Sequence, residues 1–177
     1  MIRALRRWLG RLARAEDGTA TIEFVLIFPV FMVLTVTGIE MGVLTLRQVM
    51  LERGVDITVR ALRVGSMQEP TFDKVKTAIC RASLIIPDCS DTVHLELTPI
   101  STDSWAVPSG QVSCVDRSSE IDPIVNFVPG MRNEFMLLRA CAVFSPMFPT
   151  FGLAPKLPLD ASGGYRLIAS TSFVNEP

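Results

Sequence analysis

The sequence predicts an α+β protein: a long N-terminal helix whose first half is transmembrane, followed by a small, mostly antiparallel sheet domain. Three observations carry this expectation. Residues 24–39 of the 177 contain no charged side chain. The helical apolar period then continues beyond any bilayer, to about Val64. After it, strand-like stretches separated by Pro and Gly turns follow one another with no helical crossover between them. The 49% hydrophobic content and the positive mean hydropathy are therefore concentrated in one segment of a chain with room for a single small domain.

Charge is equally uneven. Arg3, Arg6, Arg7, Arg11 and Arg14 precede the apolar run with only Glu16 and Asp17 among them, and without residues 1–18 the chain would hold 12 basic and 16 acidic side chains, a net of −4. That balance excludes a nucleic-acid-binding surface. The arginines hold the N-terminal flank in the cytoplasm and send the C-terminal domain across the membrane. The sixteen residues 24–39 cover only about 24 Å of a hydrocarbon core about 30 Å thick. Extension to Leu46, just before Arg47, gives about 35 Å and takes in Glu40 roughly 6 Å from the far interface. Pro29 falls in the first turns, where a missing backbone donor is best tolerated. Gly38 and Gly42 form a G-x-x-x-G pair, either a helix-packing site or two small residues spaced by chance. Glu40, between them, is either a partnered intramembrane acid or an interfacial residue reaching toward headgroups.

From Arg47 onward Leu51, Val55, Val59 and Leu62 keep one face apolar, and Asp56 and Arg60 are spaced to pair. One helix from about Ile22 to Val64 is expected, weakened modestly at Gly54 and stopped by Gly65, Ser66 and Pro70. A short helix follows Thr71 to about Ala82, with Phe72, Val75 and Ile79 on one face. "VHLELT" (93–98) alternates as a strand, "GQVSCV" (110–115) is strand-like, and 133–144 and 165–174 are longer strands preceded by turns at Pro129-Gly130 and Gly163-Gly164. The proline-rich "FSPMFPTFGLAPKLPL" (144–159) is expected to pack over the sheet edge or to offer a surface to neighbouring subunits.

Cys80, Cys89, Cys114 and Cys141 are even in number and all lie beyond the apolar run, as disulfides of an exported domain would. No C-x-x-C occurs and the spacing is unlike zinc ligation. Of the three possible pairings, local closure favours Cys80 with Cys89 and leaves Cys114 with Cys141; buried free thiols are the alternative. The single histidine, His94, has no second histidine to share a metal and is expected as a surface or half-buried strand residue. Asp88, Asp91 and Asp103 are placed as solvated turn carboxylates. With no G-x-S-x-G, phosphate loop or H-E-x-x-H, no catalytic residue, metal site or cofactor is expected, and the chain is not read as an enzyme.

Glu23 stands at the edge of the apolar run, in "EDGTATIEFVLIFPVF", five residues after Gly18. A secretory signal peptide cut after Val36-Thr37-Gly38, before Ile39, is one explanation of this region. Glu23 at the head of the apolar stretch and the helical pattern beyond Gly38 argue against it. An uncleaved signal anchor, with Glu23 merely interfacial, is another. The order Gly18, Thr19, Ala20, Thr21, Ile22, Glu23, Phe24 resembles the type IV prepilin processing signal. More narrowly, "ARAEDGTATIEFVLIFPVFMVLTVTGIEMG" is similar to the TadE/TadF minor pilins, or pseudopilins, of the Tad (Flp) type IV pilus system. The resemblance is specific over about residues 11–42 and loose beyond, apart from the terminal "FVNEP".

This resemblance implies cleavage by a prepilin peptidase between Gly18 and Thr19. The chain would then divide into a leader at 1–18, the transmembrane half of a pilin-like helix at 19–46 and a periplasmic pilin-like domain at 47–177. It also implies residence in the bacterial inner membrane, in contact with its lipid, and a function as a minor pilin in pilus assembly. The implied partners are the major Flp pilin, other minor pilins and the pilus assembly platform. Cleavage would expose the ammonium of Thr19 in or near the apolar layer. Glu23, with Phe24 beside it, would neutralise that charge on its own or an adjacent subunit and so set subunit register. The alternative from another class is a Sec-processed or signal-anchored envelope protein that binds or adheres independently of a pilus.

Overall fold

The structure, a computed structural model, describes residues 19–108, 112, 114–115, 117, 126–160 and 162–176. Gly18 and the rest of the expected leader lie outside them. Helix α1 (Thr19–Arg63) is 45 residues long and runs through Pro29 without a break, a rod of about 68 Å. Every described side chain from 20 to 35 is exposed. Within that bare half, the hydroxyl of Thr35 donates to the Phe31 carbonyl at 2.8 Å, so it needs no partner from outside the helix. The second half turns Leu51, Val55, Val59 and Leu62 inward. Arg60 and Arg63 occupy its last turn, where cations favour the negative end of the helix. Gly65, at φ +65°, adopts the left-handed conformation that ends helices.

Helix α2 (Phe72–Ala82) starts at Thr71, whose side chain accepts from the Lys74 N–H at 3.4 Å, and buries Val75 and Ile79. It crosses α1 at Gly54. A Cβ at Gly54 would collide with the Ser83 hydroxyl and lie 2.8 Å from the Ile79 carbonyl oxygen. Gly54 therefore does more than weaken a helix: it sets how closely the two helices approach. Gly54→Val is expected to destabilise the domain by about 1–3 kcal/mol, because the contact includes backbone that cannot swing aside. Thermal unfolding of the detergent-solubilised chain measures this, and an unchanged midpoint would refute the close approach.

A short helix α3 (Cys89–Thr92) leads into the sheet of β1 (Val93–Pro99), β2 (Phe135–Phe144) and β3 (Tyr165–Val174). The strand order is β1-β2-β3 and both pairings are antiparallel. Ala140 marks the register, opposite Leu95 on one side and Ala169 on the other. One sheet face, including Leu95, Leu138, Ala140 and Phe173, packs against α1 and α2 as a single core. The disulfides are Cys80–Cys89, which ties the end of α2 to α3, and Cys114–Cys141. This is the pairing that local closure favours.

Two expectations fail on the opposite sheet face. His94 is only 3% exposed, as is Glu96, where a surface or half-buried histidine is expected. The cause is a cover: Val112 and Cys114 pack on Cys141 and Val143 of β2, and the Phe72 ring lies 5.7 Å from the imidazole. The second failure is the strand expected at 110–115. Val112, Cys114 and Val115 belong to no strand, while Gly110, Gln111 and Ser113 lie outside the described residues. Val112 and Cys114 are held across the face of the sheet by side-chain packing and the Cys114–Cys141 bond, where no free backbone edge is available for pairing.

The connection from β2 to β3 runs through the proline-rich segment. It reaches past the sheet onto α1 before Ala154 and Leu157 return to the protein interior. Its last turn is organised by Asp160, whose Oδ1 accepts from the Ser162 N–H at 2.9 Å, the Ser162 hydroxyl at 2.7 Å and the Gly164 N–H at 2.8 Å. Partial burial opposes ionisation of Asp160, but these hydrogen bonds and the charge of Arg117 outweigh it and hold the pKa below the ordinary value. A lowered folded-state pKa stabilises the fold above the unfolded pKa of about 3.9 and is lost as pH falls through the folded value. Asp160→Ala is accordingly expected to cost about 1–3 kcal/mol at neutral pH. Unfolding titrations should find that the difference from wild type shrinks as the pH falls below the ordinary carboxylate range.

The terminal "FVNEP" has a mechanical part in the fold. Phe173 lies in the core. The Asn175 N–H donates to the Glu134 carbonyl at 3.1 Å, and the Glu176 N–H to the Arg63 carbonyl at 2.9 Å. The Glu176 carboxylate also pairs with Arg63 at 2.8 Å. Glu176 thus fastens to the C-terminus of α1.

Candidate functional site

Helix α1 presents the candidate site. Thr19 opens the helix and Glu23 follows four residues later, so the two positions share a face one turn apart. The Glu23 side chain is exposed and has no hydrogen-bond or ion-pair partner among the described residues. Phe24 stacks on Phe28 with ring centroids 4.9 Å apart, and Ala20, Ile27 and Phe31 complete an apolar groove beside the carboxylate. A carboxylate among apolar neighbours is costly wherever water is excluded. Among the described residues this surface offers it no cation.

Gly38 and Gly42 face open space, with nothing within 4 Å of a Cβ built on either. Packing inside the described structure requires neither to be glycine. Glu40, between them, behaves otherwise. It is 2% exposed, its Oε1 accepts from the Met147 N–H at 3.2 Å, and its Oε2 has no partner among the described residues. Of the two readings for this acid, the structure gives a partnered one, with the partner supplied by the protein's own loop; reach toward headgroups is blocked by that loop. No local signal marks the contact, because Met147 is 107 residues away.

Sequence reasoning also passed over Arg47, treating it as the end of the apolar run. Its guanidinium donates to the Tyr165 hydroxyl at 2.7 Å and lies 4.7 Å above the Phe144 ring. It locks α1 to the paired ends of β2 and β3. Only its position as the first charge after a long apolar run could have hinted at such a role. Asp88, Asp91 and Asp103 are exposed; Asp103 and Asp88, which directly precedes α3, lie in turns as expected, but Asp91 lies within α3. Among the described residues no cluster of three or more His, Cys, Asp or Glu is placed to hold a metal ion.

α1 is the one helix among the described residues that is long and apolar enough to cross a membrane. The family model described as TadE-like protein matches residues 18–60. The match opens at Gly18, takes in Glu23, Phe24, Gly38, Glu40 and Gly42, and ends in the last turns of α1. No curated protein and no solved structure matches the chain.

Proposed function

We propose, from the premise that residues 18–60 are a TadE-like domain and the protein is therefore associated with a Tad pilus, that it acts as a minor pilin in assembling that pilus. The observation that carries this reading is Glu23, exposed in an apolar groove one turn from Thr19 and without a partner among the described residues. A prepilin peptidase cuts between Gly18 and Thr19. The new ammonium then meets Glu23 of the same or a neighbouring subunit and fixes register. Residues 1–18 are the leader, the bare first half of α1 spans the inner membrane, and the sheet domain lies on the periplasmic side. The arginine-rich flank supports that orientation, and two disulfides suit an oxidising compartment. The major Flp pilin, other minor pilins and the assembly platform are the partners, and the open face at Gly38 and Gly42 is where a second helix can approach.

Mass spectrometry of the mature chain tests the processing step. Thr19 is expected as its first residue; Ile39 would indicate signal peptidase, and Met1 an uncleaved anchor. Glu23→Ala is then expected to leave membrane insertion intact and to lower incorporation into the assembling pilus by about 100-fold, since an unpaired charge in an apolar layer costs a few kcal/mol. Normal piliation in that variant would refute the pairing. Cleavage before Ile39 is disfavoured because α1 is continuous there and Val36 is buried beneath the domain's own loop.

A further inference from the structure

We propose that the connection between β2 and β3 is a membrane-contacting foot, with Met147 and Phe151 seated in the headgroup and upper acyl region of the bilayer beside α1. The proposal rests on the reading of the first half of α1 as the membrane span. The helix supplies the height scale. Its described side chains are exposed from 20 to 35, and Val36 is the first to be buried. Residues 20–35 supply about 24 Å of helix against a hydrocarbon core of about 30 Å. So short a span draws the domain down onto the bilayer surface.

What meets that surface is the loop. A Cβ at Gly152 would lie 3.3 Å from the Thr37 hydroxyl and 3.5 Å from Val36, so the neighbouring Phe151 is level with the last residues of the span. Met147 sits about one helical turn higher, at Glu40. Residues 145–155 carry no charged side chain, yet Met147 is 51% and Phe151 45% exposed. These side chains continue the exposed apolar surface of α1, which includes Leu34 just below. That continuity argues for lipid as the occupant, because the same layer that covers Leu34 covers Phe151. The first charge to follow is Lys156, which is exposed and suited to reach phosphate headgroups from the rim. Glu40 fits the same geometry. A carboxylate facing lipid at this depth is unfavourable, and the foot closes over it while the Met147 amide satisfies one oxygen.

Tryptophan quenching in the full chain tests the foot. The protein is reconstituted into phosphatidylcholine and phosphatidylglycerol vesicles containing shallow-brominated lipid. Three single-tryptophan forms are compared: Trp8→Phe, which keeps Trp105; Trp8→Phe/Trp105→Phe/Phe151→Trp; and Trp8→Phe/Trp105→Phe/Phe31→Trp. Trp105 packs edge-on against Phe135 at the start of β2, the opposite end of a strand about 30 Å long from the foot, and so reports water. Phe31 is exposed on α1 and reports the span. The expected result is quenching at position 151 at least about twofold stronger than at Trp105, with protection from aqueous acrylamide on reconstitution. If position 31 is quenched and position 151 behaves like Trp105, the foot is overturned while the span stands. If position 31 is also unquenched, the span is overturned and the foot with it. Acrylamide protection at 151 without bromine quenching, fading as the protein is diluted in lipid, would assign the loop to a second copy and likewise overturn the proposal.

Discussion

Arg139→Met is expected to destabilise the sheet domain by about 3–5 kcal/mol, the cost of leaving a buried charge without its partner. Arg139 on β2 and Glu96 on β1 are directly opposed in the ladder and pair at 2.6 Å, with side chains only 14% and 4% exposed. Methionine keeps the length of the arginine stem and its packing while removing the guanidinium, so the loss reports mainly the charge and the hydrogen bonds it makes. Adding Glu96→Leu should recover most of the loss, because a buried ion pair and an apolar pair of similar volume are often close in stability. Chemical unfolding of the detergent-solubilised chain reads both. A single mutant within about 1 kcal/mol of wild type would mean that water reaches the pair and screens it.

Opening the Cys114–Cys141 bond by Cys114→Ala/Cys141→Ala is expected to cost about 3.5 kcal/mol, the loop-entropy value for a separation of 27 residues. The bond does more than shorten a loop. Cys114 and Val112 are packed on the outer face of β2, the face that also carries Arg139. Releasing them should admit water to the ion pair and raise amide exchange along β1 and β2. The two perturbations share one cover, so their costs should not add: in the disulfide-free background Arg139→Met should cost clearly less than it does in wild type. Full additivity would show that the cover holds its place without the bond.

Glu23 and Glu40 lie in the same helix and have opposite situations. Both would be expensive in a lipid layer if left alone. Glu40 is enclosed and accepts from the Met147 amide, so part of its need is met inside the monomer. Glu23 is exposed with no partner among the described residues. The contrast separates an acid that organises the subunit from one that, under the proposed function, would organise an assembly.

Much of this protein was legible because its signals are local. Sixteen uncharged residues, a helical period carried on through Leu62, and the strands ending in Phe144 and Val174 all lie in short windows of sequence. Backbone periodicity alone decides them. The spacing from Gly18 to Glu23 is equally local, and it alone marks the candidate site. Tertiary structure decided whatever depends on residues that approach from far along the chain. His94 and Glu96 alternate as if one face of β1 met water, but a distant segment covers that face. Gly54 looks like a defect until Ile79 and Ser83 are packed against it. Glu40 has no partner until a loop 107 residues away folds back. Periodicity records which side of an element is apolar; which other element arrives there, and what it brings, is set only when the chain closes on itself.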